Sequence, residues 1–155
     1  MTIRAEDDRG YITVSADGLQ WKPMKAWCWE DGEPLTLSTT QQRWLIHSDA
    51  LYLVYTRKSE ANVNVMRWRA PLYVARVDPT KLCLVRASER IAIPMSGDGV
   101  KEPATVAHLG NFHTNPVTRD LSLVTVGETI PAKGFRGDTL VARIRWNKPN
   151  RAATP

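Results

Sequence analysis

Short apolar segments recur along the chain and are separated by residues that favour turns. The segments are rich in Val, Ile, Leu and Tyr and are bounded by Gly, Pro, Asp and Asn, which is typical of β-strands. The reversal at 47–50 predicts that residues 42–57 form a hairpin. The chain is therefore expected to be all-β. Its predicted strands lie near residues 1–5, 10–15, 42–47, 50–57, 70–77, 82–87, 89–94, 104–109, 121–126 and 139–146.

Two of the predicted strand pairs resemble each other and lie about seventy residues apart. In both copies a Leu-x-Leu-Val segment is followed by an x-Val-Ala-Arg segment. The copies occupy residues 51–55 with 72–76, and 121–125 with 139–143. Residues 1–4 and 11–15 resemble the start of an earlier copy. Such similarity between strand-like units predicts a repeat protein, in which one unit cannot bury its apolar face alone.

The long repeat favours a β-propeller, whose blades are small antiparallel sheets. Residues 1–147 are predicted to form a partial propeller of about two to three blades, with the rest of the ring expected upstream of Met1. Residues 148–155 are predicted to be a disordered tail. Because missing blades would leave sheet edges uncovered, the chain alone is expected to be marginally stable or prone to aggregation.

A turn motif follows the second predicted strand. Residues 14–21 resemble the Asp-box, a Ser-x-Asp-x-Gly-x-Thr-Trp hairpin that recurs in sialidase-type propellers. The copy departs from that pattern, since Ala16 stands where an Asp belongs. In such a turn Asp17 is expected to accept bonds from backbone N–H groups and Gly18 to take the left-handed conformation. Trp21 is expected to pack under the blade.

Further segments resemble bacterial members of the sialidase-like (neuraminidase) superfamily. They are residues 38–45, 51–57, 67–72, 77–90 and 109–112. Together with the Asp-box, they make nearly the whole chain, as far as Trp146, similar to that superfamily. The resemblance implies a six-bladed β-propeller of the glycoside hydrolase type. It also implies a carbohydrate partner, either sialic acid or another acidic sugar.

The resemblance further implies a ligand site built from arginines. Sialidases hold the substrate carboxylate with arginines from different blades, a task that suits a planar and permanently charged group. Arg4 matches the second of these arginines, and Arg69 stands where the third is expected. Arg57 is related to Arg4 by the repeat and is expected at the same rim, with Arg67 as a further candidate. The alternative for each is a surface position or an ion pair between blades.

Catalytic groups are less evident in the sequence. Sialidases pair a Tyr nucleophile with a Glu and use an Asp as acid/base, and the family's Glu and Asp would precede the start of this chain. Phe112 stands where the family's Tyr is expected, so the chain itself is predicted to have no robust activity. Tyr55, Glu6 and Asp7 are the catalytic candidates among the residues present.

Two other polar residues complete the candidate site. Asn111 and His113 are candidates for contacts with sugar hydroxyls. The histidines and cysteines show no metal-ligand spacing, and no Gly-rich phosphate loop is present. The sequence therefore predicts neither a metal nor a cofactor.

Charge and composition narrow the possible partners. The net charge is +5, but Lys and Arg are dispersed without a basic run, so no nucleic-acid partner is expected. No apolar run has the length of a membrane span, and no signal peptide is visible at the N-terminus. Location is left open by the sequence, although the resemblance implies a periplasmic or secreted bacterial parent.

Two functions remain open. In the first, the full-length parent is a glycoside hydrolase that binds an acidic sugar through the arginines, and this fragment is inactive. In the second, the protein is a non-catalytic carbohydrate-binding or scaffold propeller with the same arginines. Phe112 favours the second function, whereas the arginines favour an anionic ligand in both.

Overall fold

The computed structural model describes residues 1–37 and 39–153, so Ser38, Thr154 and Pro155 lie outside the described residues. The described chain is all-β, which confirms that part of the prediction, whereas the propeller stays a prediction. Short 3₁₀ turns lie at Glu60–Asn62, Met66–Trp68, Arg86–Ser88, Pro103–Thr105 and Pro131–Lys133. The strands are β1 (Thr2–Arg4), β2 (Gly10–Ile12), β3 (Lys25–Ala26), β4 (Arg43–His47), β5 (Ala50–Tyr55), β6 (Leu72–Asp78), β7 (Cys83–Leu84), β8 (Arg90–Ile93), β9 (His108–Thr118), β10 (Leu121–Thr129) and β11 (Thr139–Arg145).

The strands form three antiparallel sheets, none of which closes on itself within the described residues. The first sheet has the order β1-β2-β3 and the third has the order β11-β10-β9. The central sheet is β4-β5-β6, and both β7 and β8 pair with β6. His47 lies opposite Ala50 in the β4–β5 hairpin, which confirms the hairpin predicted at 42–57. Each sheet therefore contains a meander of three consecutive strands.

The two copies of the sequence repeat form antiparallel strand pairs whose registers differ by one residue. β5 and β6 form one antiparallel pair, in which Val54 lies opposite Val74. β10 and β11 form the other, in which Val124 lies opposite Ala142. The similar segments of each copy are thus adjacent, paired strands.

The central sheet is buried on both faces. Leu53 and Tyr55 pack with Trp27 in a cluster shared with the first sheet. Val54 points the opposite way and packs with Phe112 of the third sheet. Burial of each such side chain stabilises the fold by roughly 2 kcal/mol. Double burial also explains why β5 is a continuous apolar run rather than an alternating one.

The sequence predicts only part of β9, the strand that continues to Thr118. Its second half is polar and contains Pro116, so it carries little of the strand signal. The second half of β9 is nevertheless a strand because it pairs with β10 along its length. The predicted strand at 82–87 is also shorter, since β7 ends at Leu84 and a 3₁₀ turn follows.

The turn that resembles an Asp-box is formed as predicted in its backbone but not at its tryptophan. Asp17 Oδ1 accepts the N–H groups of Leu19 at 2.9 Å and Gln20 at 2.8 Å, and these bonds lower the pKa of Asp17. Gly18 has φ +77°. Trp21 is 44% exposed, so the prediction that it packs beneath a sheet was wrong.

The segment after β11 packs on the β4–β5 hairpin. Asn150 is fully buried, and its amide donates to the carbonyl of Ile46 at 2.8 Å and accepts the N–H of Ser48 at 2.9 Å. His47 Nε2 donates to the carbonyl of Lys148 at 3.0 Å. Residues 148–153 thus contact the hairpin through bonds to residues distant in sequence, while the predicted disorder of residues 148–155 stays a prediction.

Candidate functional site

Three arginines come together near the end of β1. Arg4 is the last residue of β1, while Arg67 lies in the 3₁₀ turn before β6 and Arg69 directly follows that turn. Arg4 and Arg67 line a cleft of about 240 Å³ with Ala5, Glu6 and Thr39. Arg69 does not line this cleft, but the charges of Arg67 and Arg4 act on its guanidinium and lower its pKa, after the larger effect of burial. We call Arg4, Arg67 and Arg69 the arginine cluster.

The arginine cluster carries uncompensated charge. None of its three members has a salt bridge within the described residues. Arg69 is partly buried, and its Nε is buried without a hydrogen-bond partner. Burial lowers the pKa of Arg69, and repulsion from Arg67 and Arg4 lowers it further. A guanidinium nevertheless stays protonated at neutral pH, so the cluster is suited to an anion.

The backbone around the arginine cluster is strained. Arg67 and Trp68 have φ values of 53° and 45°, and Asn111 has a φ of 56°. Each non-glycine residue in this left-handed region costs on the order of 1 kcal/mol. Backbone strain of this kind concentrates at binding and active sites, where the surrounding structure holds it in place. Its presence here is consistent with a site at the cluster.

Asn62, which the sequence analysis does not single out, fixes the segment that carries Arg67 and Arg69. The Asn62 side chain is fully buried and donates to the carbonyls of Arg57 at 2.9 Å and Ala70 at 2.7 Å. Its Oδ1 accepts the N–H of Ser59 at 2.7 Å. The sequence signal is the Ser-x-x-Asn spacing, which is typical of a capped turn.

Arg57 lies in a different cleft from the arginine cluster. Its Nε donates to Glu89 Oε1 at 2.8 Å and its Nη2 donates to Oε2 at 2.6 Å, a bidentate pair. The bonds to Glu89 raise the pKa of Arg57. The guanidinium also lies over the Tyr73 ring, 4.5 Å from its centroid. This second cleft has a volume of about 340 Å³ and is also lined by Trp29.

Tyr55 and Phe112 are core residues. Tyr55 is fully buried, and its hydroxyl donates to Glu89 Oε1 at 2.6 Å. Burial raises the pKa of Tyr55 well above its usual range, and the charge of Glu89 adds to this effect. Phe112 is likewise fully buried, in the cluster between the central and third sheets. Neither side chain lines the cleft at the arginine cluster, so neither can attack a ligand there.

The two acidic candidates have different surroundings. Glu6 lines the cleft at the arginine cluster. Asp7 accepts hydrogen bonds from the Tyr11 hydroxyl and from the Arg9 N–H, and the bond from Tyr11 lowers the pKa of Asp7. Asp7 therefore stabilises the β1–β2 turn, while Glu6 is the acidic candidate placed at the cluster.

Asn111 and His113 lie on β9, where the pairing with β10 is irregular. Asn111 is exposed and follows Gly110, where an added Cβ would lie 3.3 Å from Arg69 Nη1. His113 lines another cleft, of about 400 Å³, formed by residues of β1, β4 and β9. Burial lowers the pKa of His108, which begins β9, and the charge of Arg69 lowers it further.

Other kinds of site receive no support from the described residues. Between residues 1–37 and 39–153, no group of three or more His, Cys, Asp and Glu side chains is arranged to hold a metal ion. Over the same ranges no helix has the length and apolar character needed to cross a membrane. Cys28 and Cys83 are free thiols.

Comparisons with protein-family models, with curated proteins and with solved structures return no match. The expected resemblance to the sialidase superfamily therefore has no support from these comparisons.

Proposed function

We propose that this chain is part of a sialidase-like β-propeller and binds an acidic sugar through the arginine cluster. The observation that carries the proposal is the partly buried guanidinium of Arg69, on which the charges of Arg67 and Arg4 act and which has no salt bridge among the described residues. A carboxylate can accept paired N–H bonds from such a group. Glu6 and Thr39 line the cleft with Arg4 and Arg67 and suit the hydroxyls of a sugar ring.

The propeller part of the proposal is supported by the three consecutive meanders. The central sheet buries both faces against its neighbours, as a blade inside a ring does. The β5–β6 pair and the β10–β11 pair also share a sequence repeat. Further blades would complete the ring.

Binding without hydrolysis is the function we favour for the chain itself. A sialidase mechanism needs an accessible tyrosine paired with a carboxylate, whereas Tyr55 is fully buried and Phe112 occupies the core. These two residues also favour a non-catalytic carbohydrate-binding propeller as the second candidate for the whole protein. A hydrolase parent would require its nucleophile and its acid/base from other blades.

Isothermal titration calorimetry with N-acetylneuraminic acid, glucuronic acid and neutral N-acetylglucosamine tests this proposal. We expect the chain to bind an acidic sugar and not the neutral one. Arg69→Gln and Arg4→Gln each remove a charged donor and should weaken binding by about tenfold or more. Arg76→Gln, at an exposed arginine of β6 outside the cleft, is the matched control and should bind normally.

Three results would count against the proposal. Equal affinity for the acidic and the neutral sugars would exclude recognition through charge. Unchanged affinity in Arg69→Gln would exclude the arginine cluster as the site. Release of product from a fluorogenic sialoside by this chain would exclude binding without hydrolysis.

A further inference from the structure

The outer edge of β11 is unpaired within the described residues. β11 pairs only with β10, in a regular antiparallel register. The backbone N–H of Trp146 donates to the carbonyl of Asp120 at 3.0 Å. This bond shows which alternate residues of β11 direct their backbone groups toward β10. The backbone N–H and C=O groups of Val141 and Arg143 therefore point away from β10. An edge of this kind is a template for pairing with another strand.

Two apolar clefts lie one after the other along this edge. The first has a volume of about 400 Å³ and is lined by Leu140, Val141 and residues of β8. The second has a volume of about 430 Å³ and is lined by Ile144, Trp146 and residues of β8. Ala142 of β11 and Ala92 of β8 line both clefts, so the clefts adjoin each other between these two strands. Side chains two residues apart on an added strand are separated by roughly 7 Å and would reach successive clefts.

Exposed arginines lie at the second cleft and at the end of β11. Arg90 and Arg143 line that cleft, and Arg145 is exposed at the end of β11. None of the three has a salt bridge within the described residues. These charges favour an acidic partner. They disfavour a second copy of this chain, because antiparallel pairing of two β11 strands would bring their arginines together.

We propose that β11 binds an extended segment of a partner protein in which apolar residues alternate with acidic residues. The segment continues the β9–β10–β11 sheet by one strand and bonds to the outward backbone groups of Val141 and Arg143. Its apolar side chains enter the two clefts, while its carboxylates lie beside Arg143 and Arg145.

Fluorescence anisotropy with a short labelled peptide of alternating valine and glutamate tests the proposal. We expect this peptide to bind at least about tenfold more tightly than the matched peptide of valine and lysine, and less tightly as salt is added. Val141→Pro removes an outward N–H without breaking a bond to β10 and should abolish binding. Arg143→Glu should weaken binding by about tenfold. Arg119→Glu alters an exposed arginine that lines neither cleft and is the control.

Equal binding of the two peptides, or no binding of the acidic peptide at about 1 mM, would overturn the proposal. So would a dimer in sedimentation that Val141→Pro dissociates, because the occupant would then be a second copy. If the proline variant does not fold, Arg143→Glu carries the test. These residues do not line the cleft at the arginine cluster, so the result is independent of sugar binding.

Discussion

Arg57 and Glu89 form a bidentate ion pair with N–O distances of 2.8 Å and 2.6 Å. Glu89 Oε1 also accepts a hydrogen bond from the Tyr55 hydroxyl. The two charged side chains are only 22% and 15% exposed. The pair joins the end of β5 to the start of β8 and compensates the charge of Arg57. The arginine cluster has no such partner in the described residues, which is the electrostatic difference between the two clefts.

Replacing Glu89 by glutamine should destabilise the fold. Arg57 would remain partly buried without its counter-charge, and we expect a loss of about 2 kcal/mol in the free energy of unfolding. Urea denaturation followed by tryptophan fluorescence measures this loss. Glu102→Gln, at an exposed carboxylate without a salt bridge, is the control. Equal stability of the two variants would show that the ion pair contributes nothing.

Tyr55→Phe should lower stability by about 1 kcal/mol through the lost bond to Glu89 and should leave sugar binding unchanged. The pKa of Tyr55 is raised in the folded protein, so its contribution to stability is complete below the usual tyrosine pKa of 10.0 and is lost as the pH rises above it. The free energy of unfolding of Tyr55→Phe should therefore fall less steeply than that of the wild type as the pH rises above about 10. Loss of sugar binding at normal stability would instead place Tyr55 in the site.

His108 should report on the occupancy of the arginine cluster. The pKa of His108 is lowered in the folded protein. The contribution of this neutral ring to the free energy of unfolding is therefore complete above the usual histidine pKa of 6.5 and is lost as the pH falls below that value. His108→Gln should remove this acid dependence. A bound carboxylate would offset the charge of Arg69 and raise the pKa of His108. NMR titration of the His108 ring with and without N-acetylneuraminic acid measures the change. A His108 titration curve that saturating sugar does not move would contradict a site beside Arg69.

Local features could be predicted from the sequence, whereas long-range contacts could not. The turn at Asp17 and Gly18 depends on neighbouring residues, so its backbone was predicted correctly. Arg57 was expected at the rim with Arg4, but Glu89, distant in sequence, pairs with it. The segment after β11 was expected to be disordered because it is terminal, and nothing local indicates that the partners of Asn150 lie on the β4–β5 hairpin. Polar residues buried in this way resemble ordinary turn formers until the fold supplies their partners.

Two substitutions of Asn111 separate its effect on backbone conformation from a contact of its side chain with the sugar. Its φ of 56° suits glycine, so Asn111→Gly should not lower stability, whereas Asn111→Val should lower it by about 1–2 kcal/mol. If the amide contacts the sugar, both variants should bind it about fivefold more weakly. Thermal melts and calorimetric titrations distinguish the two effects. Normal affinity in Asn111→Gly would remove Asn111 from the site.

Asn150→Ala should destabilise the protein although it lies close to the C-terminus. The substitution leaves the N–H of Ser48 and the carbonyl of Ile46 without their partners, and we expect a cost of about 2–3 kcal/mol. Asn147→Ala, at an exposed asparagine a few residues earlier, is the matched control and should be near neutral. Deleting residues 148–155 should cost at least as much as Asn150→Ala. If the deletion leaves the urea midpoint unchanged, the segment is a disordered tail after all, and the packing of Asn150 against the hairpin does not stabilise the fold.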